Sequence, residues 1–377
     1  MSNYYCSQKF WFLSLDLERQ KLQSCCAASP SKIDVTWLEK NKGQLFNAPE
    51  LIKERNDLLN DIPVKSCEDT CWNPEGKGLP SRRTIMKSNV VTHTNVIAEP
   101  EVLHINVGSN CNLTCVYCGK QYSTAWQRDI NNNGVYFNDN RFKILPIDSL
   151  VAKIGQKTIK ASKSYNLILD EVKKYSNIKE VLITGGEPLL YNNLVDLLNS
   201  LADSTAIKVF TGLGVNSNRL QKLIQKIHNK NVEFIISAET TGPLYEFIRF
   251  GQKYKNFLRN LKIIENKFSV AFSSVLSNLT IHGFHEFEKE FVGYKMHYIS
   301  FCTSPEYLNV NLMDNNSKSL LKTYNFINLN HEIKKTLEAD YTKDNKEKLK
   351  LFLFEYARRR NLSLKVLPES FVQWITE

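Results

Sequence analysis

Apolar positions along the chain fall into two regimes. From about residue 100, short apolar runs recur at 102–107 (VLHINV), 179–184 (KEVLIT), 206–211 (AIKVFT), 232–237 (VEFIIS), 269–275 (SVAFSSV) and 296–301 (MHYISF). Each has strand length and is rich in β-branched or aromatic residues, so each predicts a strand. Between them, apolar residues recur every three or four positions near 147–175, 192–203, 217–228, 244–265 and 283–293. That period predicts helices. Strand–helix alternation builds a parallel sheet with helices outside it, and chemistry then sits at the carboxyl ends of the strands. Six such units are too few for a closed eight-stranded barrel. An open or partial barrel fits, and so does a doubly wound sheet.

Residues 1–90 read differently, with short irregular elements. The stretch 47–63 predicts a helix, with Pro49 at an early position and Leu51, Ile52, Leu58 and Leu59 on its apolar side. Gly and Pro make 73–83 a loop. Residues 120–146 read as a long polar insert, of the kind that forms a lid or binding loop. Residues 302–377 form a tail with a helical pattern over 331–360.

Composition narrows the class. The chain has 377 residues, 42% apolar and 23% charged, an ordinary globular balance. No apolar run approaches the roughly 20 residues of a membrane helix, so no membrane association is expected. The first residues lack a basic start, a long apolar stretch and a small-residue cleavage site, so the expected location is cytoplasmic, with thiols reduced. Nine cysteines in that setting point to metal or iron–sulfur ligation rather than disulfides. The net charge of +10 favours an acidic or polyanionic partner. The densest basic tract, 343–365, reads more readily as the solvated face of an amphipathic helix than as a nucleic-acid surface.

The chemistry concentrates in two motifs. Cys111, Cys115 and Cys118 follow directly on the strand VLHINV, which puts them at a carboxyl end. Zinc prefers a fourth ligand at short spacing, but His104 lies inside the strand and His93 precedes it. Three thiolates on a 4Fe–4S cube leave one iron open to a small chelating molecule. The second motif, VLITGGEPLL (181–190), ends the next strand. Gly185 and Gly186 allow a close approach to the backbone. Glu187 either receives a ligand ammonium or braces the turn, and Pro188 stiffens it.

This pairing of a three-cysteine loop with Gly-Gly-Glu-Pro one βα unit later resembles the radical S-adenosylmethionine (SAM) superfamily. The resemblance implies an α/β fold built on a partial (β/α)6 TIM-like barrel. It implies a 4Fe–4S cluster on Cys111, Cys115 and Cys118, with SAM chelating the open iron. Tyr117 would lie against the adenine, and Gly185, Gly186 and Glu187, followed by Pro188, would receive the methionine ammonium. Thr211, Ser237, Glu239 and Asn278, at later strand ends, are candidates for the SAM ribose and carboxylate, although such residues cap helices about as often as they bind ligands. Arg249, in YEFIRFG, would meet the SAM carboxylate or a substrate anion, or else pair with Glu246. Cys302, at the end of the last strand, is a small core residue or a hydrogen-atom donor facing the substrate.

The N-terminal cysteines form a separate set. The segment 45–71 resembles the auxiliary-cluster region called SPASM or twitch, here placed before the barrel. By that resemblance Cys6, Cys25, Cys67 and Cys71 hold a second 4Fe–4S cluster, with Cys26 spare or exchanging roles with Cys25; structural zinc is the alternative. The resulting organisation is a small N-terminal cysteine-rich module over 1–95, the barrel over 96–302 and a mainly helical extension over 303–377. In FEYARRRN (354–361) an ion pair between Glu355 and Arg358 accounts for the pattern.

The expected function is a radical SAM enzyme. It would cleave SAM reductively and abstract a hydrogen atom from a peptide or protein side chain or another small molecule, taking electrons from a donor such as flavodoxin or ferredoxin. Modification of a nucleotide or nucleic acid is the alternative substrate class. A non-catalytic iron–sulfur electron-transfer or binding protein is the alternative outside enzymes.

Overall fold

The computed structural model describes residues 4–78, 81–85, 93–137, 163–302, 304–323 and 343–377. The expected helix over 147–175 is seen as Lys163–Val172, and the earlier part of that range lies outside the described residues. Likewise the helical tail is seen from Lys343 to Arg360.

Among the described residues, nine strands make one sheet. The six expected strands are β4 (Val102–Asn106), β5 (Glu180–Thr184), β6 (Ala206–Thr211), β7 (Val232–Ser237), β8 (Ser269–Leu276) and β9 (Lys295–Phe301). They pair in chain order and all in parallel, as a partial (β/α)6 TIM-like barrel requires. Alternation sorts their side chains. Leu103, Ile105, Val181, Ile183, Ile207 and Val209 are buried in the main core, while His104, Leu182 and Lys208, on the opposite face, are only half-buried.

Three further strands come from the N-terminal segment: β1 (Phe12–Asp16), β2 (Lys21–Gln23) and β3 (Ser31–Lys32). β1 runs parallel to β4, with Phe12 opposite Val102 and Asp16 opposite Asn106. β2 and β3 follow antiparallel. The N-terminal segment thus continues the barrel sheet, and the boundary expected near residue 95 crosses a continuous hydrogen-bonded ladder.

Three local expectations are corrected. The polar insert after the cysteines contains a helix, Thr124–Asn133, capped by the Ser123 side chain and ended by Gly134 at φ +78°. Trp126 and Ile130, four apart, are its buried side; its polar remainder hid the pattern. The expected helix 244–265 is two helices, Gly242–Ile248 and Tyr254–Glu265. The break turns backbone toward the cysteine loop, where Thr114 N donates to Phe250 O at 2.8 Å and Val116 N to Ile248 O at 3.0 Å. At the other end, Pro49–Leu59 is helical as expected, while the 73–83 loop contains a short helix at Asn73–Gly76.

Candidate functional site

The carboxyl ends of the parallel strands carry the predicted residues. Cys111, Cys115 and Cys118 follow β4 and share an apolar patch with Leu113 and Tyr117. Cys111 and Cys115 are buried and Cys118 is half-buried. The loop that carries them is held from several sides. Gly186 N donates to Gly108 O at 2.7 Å, and Glu187 N to Asn110 O at 2.8 Å. A Cβ on Gly186 would stand 2.7 Å from the carbonyl oxygens of both Ser109 and Asn110, and one on Gly185 would stand 2.8 Å from Gly108 O. The close approach expected at these glycines is therefore occupied by the cysteine loop itself. Gly251, at φ +116°, does the same on the far side, where a Cβ would lie 2.5 Å from Asn112 O.

Glu187 is buried, and four donors reach its carboxylate. Thr211 Oγ1 lies at 2.6 Å, and the amides of Leu189, Gly212 and Gly214 each lie at 3.1 Å. Burial pushes the carboxyl's pKa up, and these four donors oppose that shift. Glu187 thus braces the β5 turn against the β6 turn, and Thr211 is part of that brace. Pro188 opens the short 3-10 turn Pro188–Leu190 beneath it.

A buried ionic group lies beside Cys115. Arg249 donates to Glu239 through Nε at 3.1 Å and Nη2 at 2.7 Å. Its Nη1 lies 4.0 Å from Cys115 Sγ. Tyr117 donates to Glu239 Oε1 at 3.0 Å, and the guanidinium lies 5.6 Å from the Tyr117 ring centroid. Arg249 therefore pairs with Glu239 and not with Glu246, which is 2.7 Å from Lys253 Nζ.

The remaining strand-end candidates separate. Ser237 is half-buried at the end of β7. Asn278 is fully buried, and its amide nitrogen donates to Tyr307 O at 2.9 Å and Leu312 O at 3.1 Å, tying the end of β8 to the C-terminal extension. Cys302 packs in the main core, apart from the three-cysteine patch. Glu355 and Arg358 make the expected ion pair, at 2.7 Å.

The donor set fits an iron–sulfur cluster. Burial pushes the Cys111 thiol up and the Cys115 thiol up to about 12, with Arg249 opposing the latter. Without metal these thiols stay protonated, so ligation would release their protons. Leu113 N donates to Cys111 Sγ at 3.4 Å. The buried hydroxyls of Ser109, Thr240 and Tyr245 lack partners, which leaves polar capacity for a ligand such as SAM. Among the described residues, no three His, Cys, Asp or Glu side chains close on a single metal ion. A four-iron cube instead takes its thiolates at separate corners.

The N-terminal cysteines converge as a second group. Cys25, Cys67 and Cys71 are buried together with Leu58 and Val64, and Cys6 packs against them. Cys26 is exposed. Burial pushes the Cys6 thiol up to about 11, whereas a hydrogen bond from Cys26 brings Cys25 down to about 6. Buried Lys9 lies at this group, 2.7 Å from Glu54 Oε2 and 3.2 Å from Ser66 Oγ. Lys9 acts electrostatically on Cys6, Cys25 and Cys67, and Glu54 pairs with it.

Several residues at the site carried no signal in the sequence. Glu18 accepts from Ser109 N at 2.7 Å. Ser123 Oγ donates to Leu113 O at 2.6 Å, and Trp126 Nε1 to Cys115 O at 3.1 Å. Tyr356 and Arg360 reach Thr114 from the C-terminal helix.

Among the described residues, no helix is long and apolar enough to cross a membrane. No curated protein sequence matches the chain. Among solved structures, native anSMEcpe with bound AdoMet and Kp18Cys peptide is similar at 15% identity and a TM-score of 0.33, over 68% of this chain and 59% of that one. SuiB from Streptococcus suis, bound to precursor peptide SuiA, is similar at 12% identity and a TM-score of 0.34, over 95% of this chain and 71% of that one. The chain thus spans less than two thirds of the anSMEcpe length. Residues 105–292 match the family model described as the Radical SAM superfamily, a span that runs from β4 past β8 and includes all three loop cysteines and the Gly185–Pro188 turn. The chain therefore carries a Radical SAM superfamily domain over those residues.

Proposed function

We propose that this chain is a radical SAM enzyme that abstracts a hydrogen atom from a peptide or protein side chain. The observation that carries the reading is the packing of Cys111, Cys115 and Cys118 into one buried patch against the Gly185–Pro188 turn. These three cysteines would hold a 4Fe–4S cluster, and SAM would take its open iron. With both bound, the cluster would supply one electron, taken from a donor such as flavodoxin or ferredoxin, for reductive cleavage of SAM to methionine and a 5′-deoxyadenosyl radical.

The chain's own residues supply geometry and electrostatics. Backbone contacts from the Gly185–Gly186 and Ile248–Gly251 segments fix the loop, so the thiols are held before any ligand arrives. Glu187 and Thr211 keep the β5 and β6 turns in register. Tyr117 would stack with an adenine through the face that Arg249 does not cover. Ser237, Glu239 and Arg249 line the same end of the sheet, where they would address the polar groups of the cofactor. The orphaned Ser109 hydroxyl is the nearest unpartnered donor to Cys111 in sequence.

We place a second 4Fe–4S cluster on Cys6, Cys25, Cys67 and Cys71, in a SPASM- or twitch-like role. Support comes from their shared buried patch and from the exposure of Cys26. The +10 charge suits an acidic peptide, and a nucleotide is the second reading of the substrate.

Anaerobic reconstitution with dithionite and SAM tests the reading. The wild type should release 5′-deoxyadenosine, and a variant with Cys111, Cys115 and Cys118 all changed to Ala should not. Iron should reach about eight per chain, about four from each cluster. Iron-loaded wild type that yields no deoxyadenosine under any reductant would refute the enzyme. Substrate binding that weakens steeply with salt would favour the polyanion.

A further inference from the structure

The sequence FEYARRRN reads as an exposed helical face, yet two of its arginines are inside. The Arg359 and Arg360 side chains are only 3% and 4% exposed. On the reading that Cys115 is a cluster ligand, we infer that Tyr356 and Arg360 of the C-terminal helix are positioning residues for the Cys115 thiolate.

Two peptide planes flank Cys115. Each plane is rigid, so fixing the carbonyl of each plane fixes the backbone dihedrals between them and hence the direction of the Cα–Cβ bond. The Tyr356 hydroxyl donates to Thr114 O at 2.7 Å, with Phe247 O beyond it at 3.1 Å. Trp126 Nε1 donates to Cys115 O at 3.1 Å. The first plane is therefore held at its carbonyl by Tyr356, and the second by Trp126 together with two backbone bonds, Val116 N to Ile248 O and Cys118 N to Cys115 O, both at 3.0 Å. Both aromatic donors sit on rigid rings with few rotatable bonds, so the hold costs little rotamer entropy.

Arg360 joins the two donors. Its guanidinium lies 3.9 Å from the Tyr356 ring centroid and 4.7 Å from that of Trp126. Nε donates to Thr114 Oγ1 at 3.0 Å, and Nη1 to the Tyr136 hydroxyl at 2.8 Å. Thr114 is thus engaged at its amide, its carbonyl and its hydroxyl. Asp129 balances the buried charge, at 3.3 Å from Arg359 Nη1 and 3.5 Å from Arg360 Nη2. The C-terminal extension is in this way part of the cysteine site, even though it lies outside residues 105–292.

The test uses the full chain, reconstituted anaerobically, with a ferrous chelator as the probe. Tyr356→Phe keeps the ring and removes only the hydroxyl. Iron should leave this variant in two phases, one several-fold faster than in wild type. The other phase, from Cys6, Cys25, Cys67 and Cys71, should keep the wild-type rate. The electron paramagnetic resonance signal of the reduced site cluster should shift or broaden, while that of the second cluster stays unchanged. Arg360→Lys should behave more like wild type than Arg360→Met. If the wild type loads iron at Cys111, Cys115 and Cys118, and Tyr356→Phe releases it no faster with the same spectrum, the inference fails alone. If the wild type loads no more iron than the triple Cys→Ala variant, the cluster reading fails and takes the inference with it.

Discussion

Gly186 meets Asn110 backbone to backbone: a Cβ at Gly186 would stand 2.7 Å from the Asn110 carbonyl oxygen, the same oxygen that accepts from Glu187 N at 2.8 Å. No flexible side chain is available to yield, because the obstructing atoms are main chain on both sides. Gly186→Ala should therefore cost about 1–3 kcal/mol, the usual range for overpacking a tight site. It should also lower the iron loaded by the loop. Urea unfolding and iron per chain check this, and a variant with wild-type values for both would show that the clearance is not needed.

Arg249 and Glu239 form an ion pair with side-chain exposures of 5% and 0%. Such a pair adds little net stability, but removing one partner leaves an uncompensated buried charge. Glu239→Gln should destabilise the protein by about 3–5 kcal/mol. Arg249→Met in the same chain should recover much of that loss. A double-mutant cycle in denaturant measures the coupling, and simple additivity would contradict the pairing seen here.

Most of the barrel was legible because period-2 alternation and burial agree. β4, β5 and β6 alternate buried with half-buried residues along their length, and β4 through β9 all begin and end close to where the apolar runs put them. β1 was not legible. Phe10, Phe12, Leu13, Leu15 and Leu17 make a nearly continuous apolar run inside a cysteine-rich segment, and only the parallel partner β4 makes it a strand. The three-cysteine loop and the glycine turn stood out by spacing. What holds them did not, because Tyr356 and Thr114 are 242 residues apart and no local pattern links them. The glycines were located correctly for a close approach, but a sequence cannot say whether a ligand or the protein's own backbone makes it.

His104 lies between Ser14 Oγ, 2.9 Å from Nδ1, and Thr184 Oγ1, 2.7 Å from Nε2. Burial lowers its pKa to about 4, and the charge of Asp16 opposes this only in part. In the unfolded chain the ring titrates near its ordinary value of about 6.5. Above that pH both states are neutral and no dependence arises. Between about 6.5 and about 4 the unfolded chain binds a proton that the fold refuses, so stability falls as pH falls. The loss approaches about 3 kcal/mol at the lower limit, at about 1.4 kcal/mol per pKa unit. Urea midpoints at neutral and mildly acidic pH should therefore diverge in wild type and converge in His104→Gln. Equal slopes in the two proteins would assign the acid sensitivity to another group.

Glu54 links two of the N-terminal cysteines through their preceding serines. Ser24 Oγ donates to Glu54 Oε2 at 3.1 Å, and the Ser66 hydroxyl donates to Oε1. Ser24 precedes Cys25 and Ser66 precedes Cys67. The same carboxylate neutralises Lys9, whose side chain is 1% exposed. Replacing Glu54 by Gln keeps the shape but leaves the lysine charge buried without its partner and loosens both serine contacts. The expected result is selective: about half of the iron is lost, corresponding to one four-iron cluster, while SAM cleavage at the Cys111 loop persists. Glu54→Gln together with Lys9→Met removes both charges and should restore part of the lost iron. Iron and deoxyadenosine measured on the same preparations separate the two sites, and parallel loss of both would mean that the N-terminal patch supports the whole sheet rather than one cluster.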